Sequence, residues 1–244
     1  MKKLLLIATV FACGTAAASN ISGFGMNVLM GDDVRPEYSA RGRVYVEAVR
    51  GAEYSIRLTN PLPYRVAVAL SVDGLNTIDA KHTDPWNAAK WILEPYESTV
   101  IAGWQVNDQT ARRFFFTGEN RSYGAYLGKT ENLGIIEAVF YRERRPKFHA
   151  QSPRIEEKSR DAQPAPAAGS GLSDEYAATG MGGRTTHEVE MVDIALEPAP
   201  AARLSIRYEF HPQLVRLGVL PQLETPLDRR EHAHGFGNYC PEPR

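Results

Sequence analysis

The sequence predicts an all-β protein: an antiparallel β-sandwich, jelly-roll-like, of about eight strands with a long disordered excursion. Three observations predict it. Short segments alternate apolar and polar side chains with period two, as half-buried strands do. Those segments are rich in β-branched and aromatic residues, which suit a pleated surface. Gly and Pro recur between them at roughly ten-residue spacing, the rhythm of a sandwich or barrel.

The elements follow in chain order. Residues 1–18 read as a secretory signal. Lys2 and Lys3 precede a short apolar stretch from Leu4 to Ala12, and Ala16 and Ala18 suit cleavage after Ala18. Cys13 in VFAC loosely resembles a lipoprotein box, so a lipid anchor there is the alternative end, although Phe11 is bulky for that box. Residues 19–42 form an N-terminal extended segment. Residues 43–143 form the sandwich core. In RVYVEAV, Val44, Val46 and Ala48 share a face. Tyr54, Ile56 and Leu58 point inward from EYSIRLTN, and Val66, Val68 and Leu70 from YRVAVALSV. KWILEP and STVIAGW are two strands around Pro95-Tyr96-Glu97. ARRFFFTG and LGIIEAVFYRE follow, the second carrying Ile135, Ile136, Val139 and Phe140.

Helix signals are short. PWNAAKW suits one turn, with Asp84 as N-cap and Pro85 at the first position. HPQLVRLGVL suits another, stopping near Gly218. Residues 144–185 mix charges with Pro, Ala, Gly and Ser. Such a segment buries too little apolar surface to offset its ordering entropy, and reads as a flexible linker or long loop. Residues 186–220 return as strands, HEVEMVDIALEP and ARLSIRYEF, joined by APAA. A hairpin alone is marginal, so these strands complete the main sheet. Residues 221–244 form an extended tail.

Composition narrows function. The formal charge is −1, from 28 Lys and Arg against 29 Asp and Glu, which argues against a nucleic-acid partner. No apolar run beyond the leader is long enough for a transmembrane span. Cleavage after Ala18 leaves Cys240 as the one cysteine, which cannot form an internal disulfide. The apolar fraction of 43% permits a hydrophobic core instead.

The chain's three tryptophans and a polar cluster fall in VALSVDGLNTIDAKHTDPWNAAKWILEPYESTVIAGW. Asp73-Gly74 signals a tight turn between apolar runs. Asp73, Asn76, Asp79, His82 and Asp84 are potential cation ligands, but their spacing fails the calcium-loop template, and they read as solvated turns around a short strand. Trp91 and Trp104 suit the core. Trp86 lies in a polar loop, so Trp86, Asn87 and Asp84 are the candidate ligand-binding residues. Glu188 and Glu190 would share a strand face, an arrangement more typical of a solvated edge than of a glycosidase pair. His232, His234 and Cys240 are weak metal candidates in the tail, and no metal or cofactor is expected. No G-x-S-x-G elbow, H-E-x-x-H, P-loop or C-x-x-C occurs.

Taken together, VDGLN, IAGW, SYGAYLGKTENLGIIEAVFY and NYCPEP resemble a group of exported bacterial proteins with a β-rich core. That group shares a VDGL turn, a later GW or GF after an apolar strand, and an SYxA segment leading to NxGxIxxxxF. The resemblance covers residues 43 to 143, and more loosely the last strands and tail. It implies the fold and export and assigns no site.

The expected role is an exported, non-catalytic interaction or structural module. It would act in the periplasm, at the cell surface or outside the cell, on an envelope or extracellular protein or glycan. A carbohydrate-binding domain and a secreted hydrolase are the alternatives.

Overall fold

A computed structural model describes residues 20–144, 172–222 and 230–231. Cleavage after Ala18, Cys13, residues 145–171, and His232, His234 and Cys240 in the tail lie outside the described residues.

The first strands are β1 (Asn20–Ile21), β2 (Phe24–Met30), β3 (Asp33–Val34), β4 (Glu37–Ala40) and β5 (Arg43–Ala48). Next come β6 (Glu53–Thr59), β7 (Val66–Val72), β8 (Leu75–Asn76), β9 (Trp91–Leu93), β10 (Ser98–Ile101) and β11 (Gly103–Asn107). Last are β12 (Thr110–Gly118), β13 (Ile135–Arg142), β14 (Ala177–Thr186) and β15 (Ala202–Phe210). Two short helices, α1 (Tyr123–Tyr126) and α2 (His211–Arg216), flank β13 and β15.

The protein is all-β. These strands form an eight-stranded sheet around β2, β6 and β12, and a seven-stranded sheet in the order β4-β5-β15-β13-β7-β8, with β9 also pairing β7. The sheets share one core: Phe24 of β2 meets Phe140 of β13 at 4.9 Å between ring centres, and Phe116 of β12 meets Tyr208 of β15 at 5.3 Å. Alternation decides which side chains enter it. Val66, Val68 and Leu70 are buried inward from β7, and Tyr54, Ile56 and Leu58 from β6, as the pattern predicts. Each fully buried Phe or Leu contributes about 1.5–3 kcal/mol relative to exposure.

Four differences from the sequence expectation have physical reasons. First, the described residues carry more strands than eight, and residues 20–40 supply four of them, β1 to β4. Phe24, Met26 and Val28 of β2 are fully buried and pair with β6. Second, the sheets are not wholly antiparallel: β5 and β15 run parallel, with Val44 opposite Ile206 and Ala48 opposite Phe210.

Third, the expected linker ends earlier than 185, because Ala177–Thr186 is a strand paired along β12. Its small residues look linker-like for a packing reason. A Cβ on Gly180 would stand 2.3 Å from the Phe115 ring, so the strand is stripped of bulk where an aromatic lies on it. Fourth, HEVEMVDIALEP is not a strand. It runs as an irregular segment tied by His187 N–H to Gln109, Val189 N–H to Asp108, and a bridge from Leu196 to Glu143. Met191 is 95% exposed, and Leu196 packs only on the small outer cluster of Ala69, Val139 and Tyr141, so the segment does not enter the main core. β15 therefore sits between β13 and β5 instead of pairing with this segment.

Other expectations hold. Asp73 and Gly74 both have positive φ, 53° and 72°, in a two-residue loop joining β7 to β8. Helix α2 begins with Pro212 in its first turn and ends before Gly218, whose φ is +67°. PWNAAKW forms a turn closed by Asn87 and Ala88 N–H groups donating to the Asp84 carbonyl.

Candidate functional site

The Trp86 loop is the site the sequence singled out. Asp84 Oδ1 accepts from the Trp86 N–H at 2.9 Å, and Oδ2 accepts from the Asn87 side chain at 2.6 Å. Those bonds, the Asn87 side chain first, hold the Asp84 carboxyl below its ordinary range. Asp84 and Asn87 are thus occupied with each other while both remain exposed. Trp86 is neither core nor free. It is 41% exposed and rests edge-on against Tyr141, with 5.4 Å between ring centres. Lys90 braces the pair, donating to the Trp86 and Ala88 carbonyls with its ammonium 5.8 Å from the Trp86 ring and 5.4 Å from the Tyr141 ring.

Trp91 and Trp104 serve packing. Trp91 donates to Thr77 Oγ1, and buried Trp104 donates to the Gly180 carbonyl. His187 bonds Gln105 Oε1 through Nδ1 at 2.8 Å, and burial lowers its pKa. Glu188 and Glu190 are exposed on the irregular segment. Among the described residues, no three His, Cys, Asp or Glu side chains are placed to hold a metal ion.

Asp73 corrects the reading of DGLN as a solvated turn. It is 2% exposed and joins both sheets. One carboxylate oxygen accepts from Gly134 N–H at 2.8 Å and from the Tyr208 hydroxyl; the other accepts from Thr179 N–H at 2.7 Å. Thr179 Oγ1 contacts the hydroxyls of Tyr208 at 2.7 Å and Tyr54 at 2.6 Å. Burial pushes the Asp73 carboxyl up to about 7 against the pull of these hydrogen bonds. Asn76 is buried too, donating to the Ala89 carbonyl and accepting from Ile78 N–H. Asp79 instead pairs with Lys81, and His82 Nδ1 contacts the Gly74 carbonyl.

A surface the sequence did not single out lies on the outer face of the second sheet. Because Leu204, Ile206 and Tyr208 face the core, Arg203, Ser205, Arg207 and Glu209 of β15 face outward. Register sets Arg207 between Tyr45 of β5 and Ile135 of β13, and Ser205 beside Glu137. Three hollows of about 410, 270 and 360 Å³ adjoin along this face. The first and second share Ile135 and Arg203, and the second and third share Arg43 and Arg207, so together they form one trough. The 81–88 loop walls one end, placing Asp84 in its lining, and α2 with Tyr176 walls the other.

Four arginines line the trough: Arg43, Arg203, Arg207 and Arg216. Arg203 donates to Glu137 at 3.0 Å, and Arg216 stands 3.7 Å from Glu175. Glu209, half-buried, accepts from Ala177 N–H at 3.1 Å; burial raises its pKa above the ordinary range. At the α2 end, Gln213 is 7% exposed and its Oε1 has no hydrogen-bond partner. This arrangement can bind an anion from donors on two strands and a helix. The sequence holds the signal only as polar positions opposite the apolar face of ARLSIRYEF, a pattern that any solvated strand face also shows.

No protein-family model, curated protein or solved structure matches this chain. The reading of the site therefore rests on the residues themselves.

Proposed function

We propose that this protein is an exported, non-catalytic interaction module that holds an envelope or extracellular partner along the outer face of its second sheet. The trough lined by Arg43, Arg203, Arg207 and Arg216 carries this reading. An open face lined by guanidinium groups from two strands and a helix favours retention of an anionic partner through its local positive potential. The basic and apolar leader through Ala18 supports export. Among the described residues, the carboxyl with the most strongly raised pKa, Asp73, is sealed in the core and bonded on both oxygens, where no substrate reaches it.

A carbohydrate-binding role at Trp86 is the second reading. It is favoured by an indole that is 41% exposed yet held in place by Tyr141 and Lys90.

Expression of the full tagged chain in bacteria tests export. The expected product is in the periplasm or medium and starts after Ala18 by mass spectrometry. Purified protein added to washed cell envelopes is expected to sediment with them, and Arg43→Ala/Arg207→Ala to sediment much less. A cytoplasmic product of full length, or equal retention of the double variant, overturns the reading. Retention lost in Trp86→Ala, with the double variant unaffected, moves the site to the indole.

A further inference from the structure

The described methionines differ sharply in exposure. Met26 is 0% exposed in the core, and Met30 and Met181 are partly buried against the same cluster. Met191 is 95% exposed. The chain holds it there from both sides. Before it, the His187 and Val189 N–H groups donate to the carbonyls of Gln109 and Asp108. After it, the Arg144 N–H donates to the Ala195 carbonyl, the Glu197 N–H donates to the Arg142 carbonyl, and Leu196 packs on the outer face of the second sheet. Met191 thus stands on a bridge between two fixed points, with its thioether in solvent.

A thioether is soft and polarisable, and its oxidation requires an oxidant that can reach a sulfur lone pair. Packing shields a buried thioether, and its sulfoxide would force a polar group into the core. Neither barrier protects Met191. Glu188, Glu190 and Asp193 flank it and are exposed. Their charge repels anionic oxidants and leaves a neutral peroxide unhindered. We propose that Met191 is a site of reversible oxidation, its thioether taking an oxygen atom from hydrogen peroxide while the fold stays intact. The peroxide O–O bond breaks, one oxygen bonds to Sδ, sulfur gives up two electrons, and the other oxygen leaves as water. A dithiol-dependent sulfoxide reductase reverses the step: the dithiol is oxidised to a disulfide, the sulfur is reduced, and the oxygen leaves as water. Val192 beside it is 48% exposed, so the unmodified pair is a small apolar spot on an acidic segment, and the sulfoxide makes that spot polar.

Treatment of the purified, folded protein with hydrogen peroxide, followed by proteolytic digestion and mass spectrometry, tests this. Free methionine in the same solution gives the unshielded rate, and Met191 is expected to oxidise within about threefold of it. Met30 and Met181 are expected to react about tenfold or more slowly, and Met26 to react only after unfolding in urea. Protein oxidised at Met191 alone is expected to keep its circular dichroism spectrum and to melt within about 2 °C of the parent. Sulfoxide reductases for both epimers, with dithiothreitol, are expected to restore the original mass. Met191→Leu is expected to fold as the parent does and to lose the fast phase of oxygen uptake. A Met191 rate no faster than that of Met26 in the folded protein overturns the proposal, as does a fast phase that survives in Met191→Leu. Unfolding on oxidation of Met191, or a sulfoxide there that neither reductase removes, also overturns it.

Discussion

The Asp73 hub and the Gln213 hollow are both built from polar groups close to β15, yet they are built to opposite ends. Around Asp73, each carboxylate oxygen meets a donor, and Thr179 links two tyrosine hydroxyls beside it. At Gln213, an acceptor of similar burial is left without a donor beside an open hollow. A satisfied buried polar network fixes how sheets meet; an unsatisfied buried acceptor leaves the packing around it incomplete. The difference assigns Asp73 to architecture, although burial has raised its pKa strongly, and leaves the polar surface at the α2 end out of that framework.

Breaking the hub is expected to give the largest effect. Asp73→Asn keeps the shape and tolerates the positive φ, but turns an amide donor toward the N–H of Gly134 or Thr179. A loss of about 2–4 kcal/mol in urea-unfolding stability is expected. A loss below about 0.5 kcal/mol would remove the hub from the account of how the sheets are joined.

Gly180, next to Thr179, comes second. Its added methyl in Gly180→Ala meets the Phe115 ring, and a loss of about 1–3 kcal/mol is expected by the same measurement.

The pH dependence sharpens the comparison further. The Asp73 carboxyl is raised from its ordinary value of 3.8 to about 7, chiefly by burial. The folded state therefore binds this proton more tightly than the unfolded chain. The associated stability is fully present below about pH 4 and is lost as pH rises through about 7. The stability difference between the parent and Asp73→Asn is expected to shrink over that window and level off above it. A difference that grows with pH would mean that the carboxylate is favoured in its ionised form.

Trp86→Ala is expected to cost about 0.5–1.5 kcal/mol of thermal stability through the lost edge-on contact with Tyr141. A larger cost would make Trp86 a core residue rather than a half-exposed platform. Gln213→Leu is expected to have the smallest effect on stability, within about 0.5 kcal/mol or favourable, by thermal unfolding. A loss above about 2 kcal/mol would show that its side chain is satisfied in solution.

Particular residues show how far the sequence could be read. β7 and β13 were legible because their alternation is strong and their inward residues are large: Val68, Leu70, Ile136 and Phe140. β2 carries the same alternation in Phe24, Met26 and Val28, but it was read only as part of an extended N-terminal segment. β14 was not legible, because Gly180, Gly182 and Gly183 carry no side chain to reveal a pattern, and the bulk belongs to Phe115 on its neighbour. HEVEMVDIALEP misled for the converse reason: it alternates well enough, but the place beside β15 is taken by β5.

The site divides along the same line. Asp84, Trp86 and Asn87 were legible as an exposed polar loop with an aromatic, because turn chemistry and capping are local. The trough was not, since Arg43 of β5 meets Arg207 of β15 and Arg216 of α2 only through the parallel pairing of segments distant in the chain.

The sequence by itself determined an all-β chain, its DG hairpin turn, the inward sets of its strong strands and the α2 stop at Gly218. Each of these follows from period, turn chemistry or glycine's access to positive φ within a few residues. Only the tertiary structure decided that Asp73 is buried, that β5 runs parallel to β15, and that four arginines line one trough. Those features depend on which strands become neighbours, and neighbours are selected by packing between distant segments that no local pattern encodes.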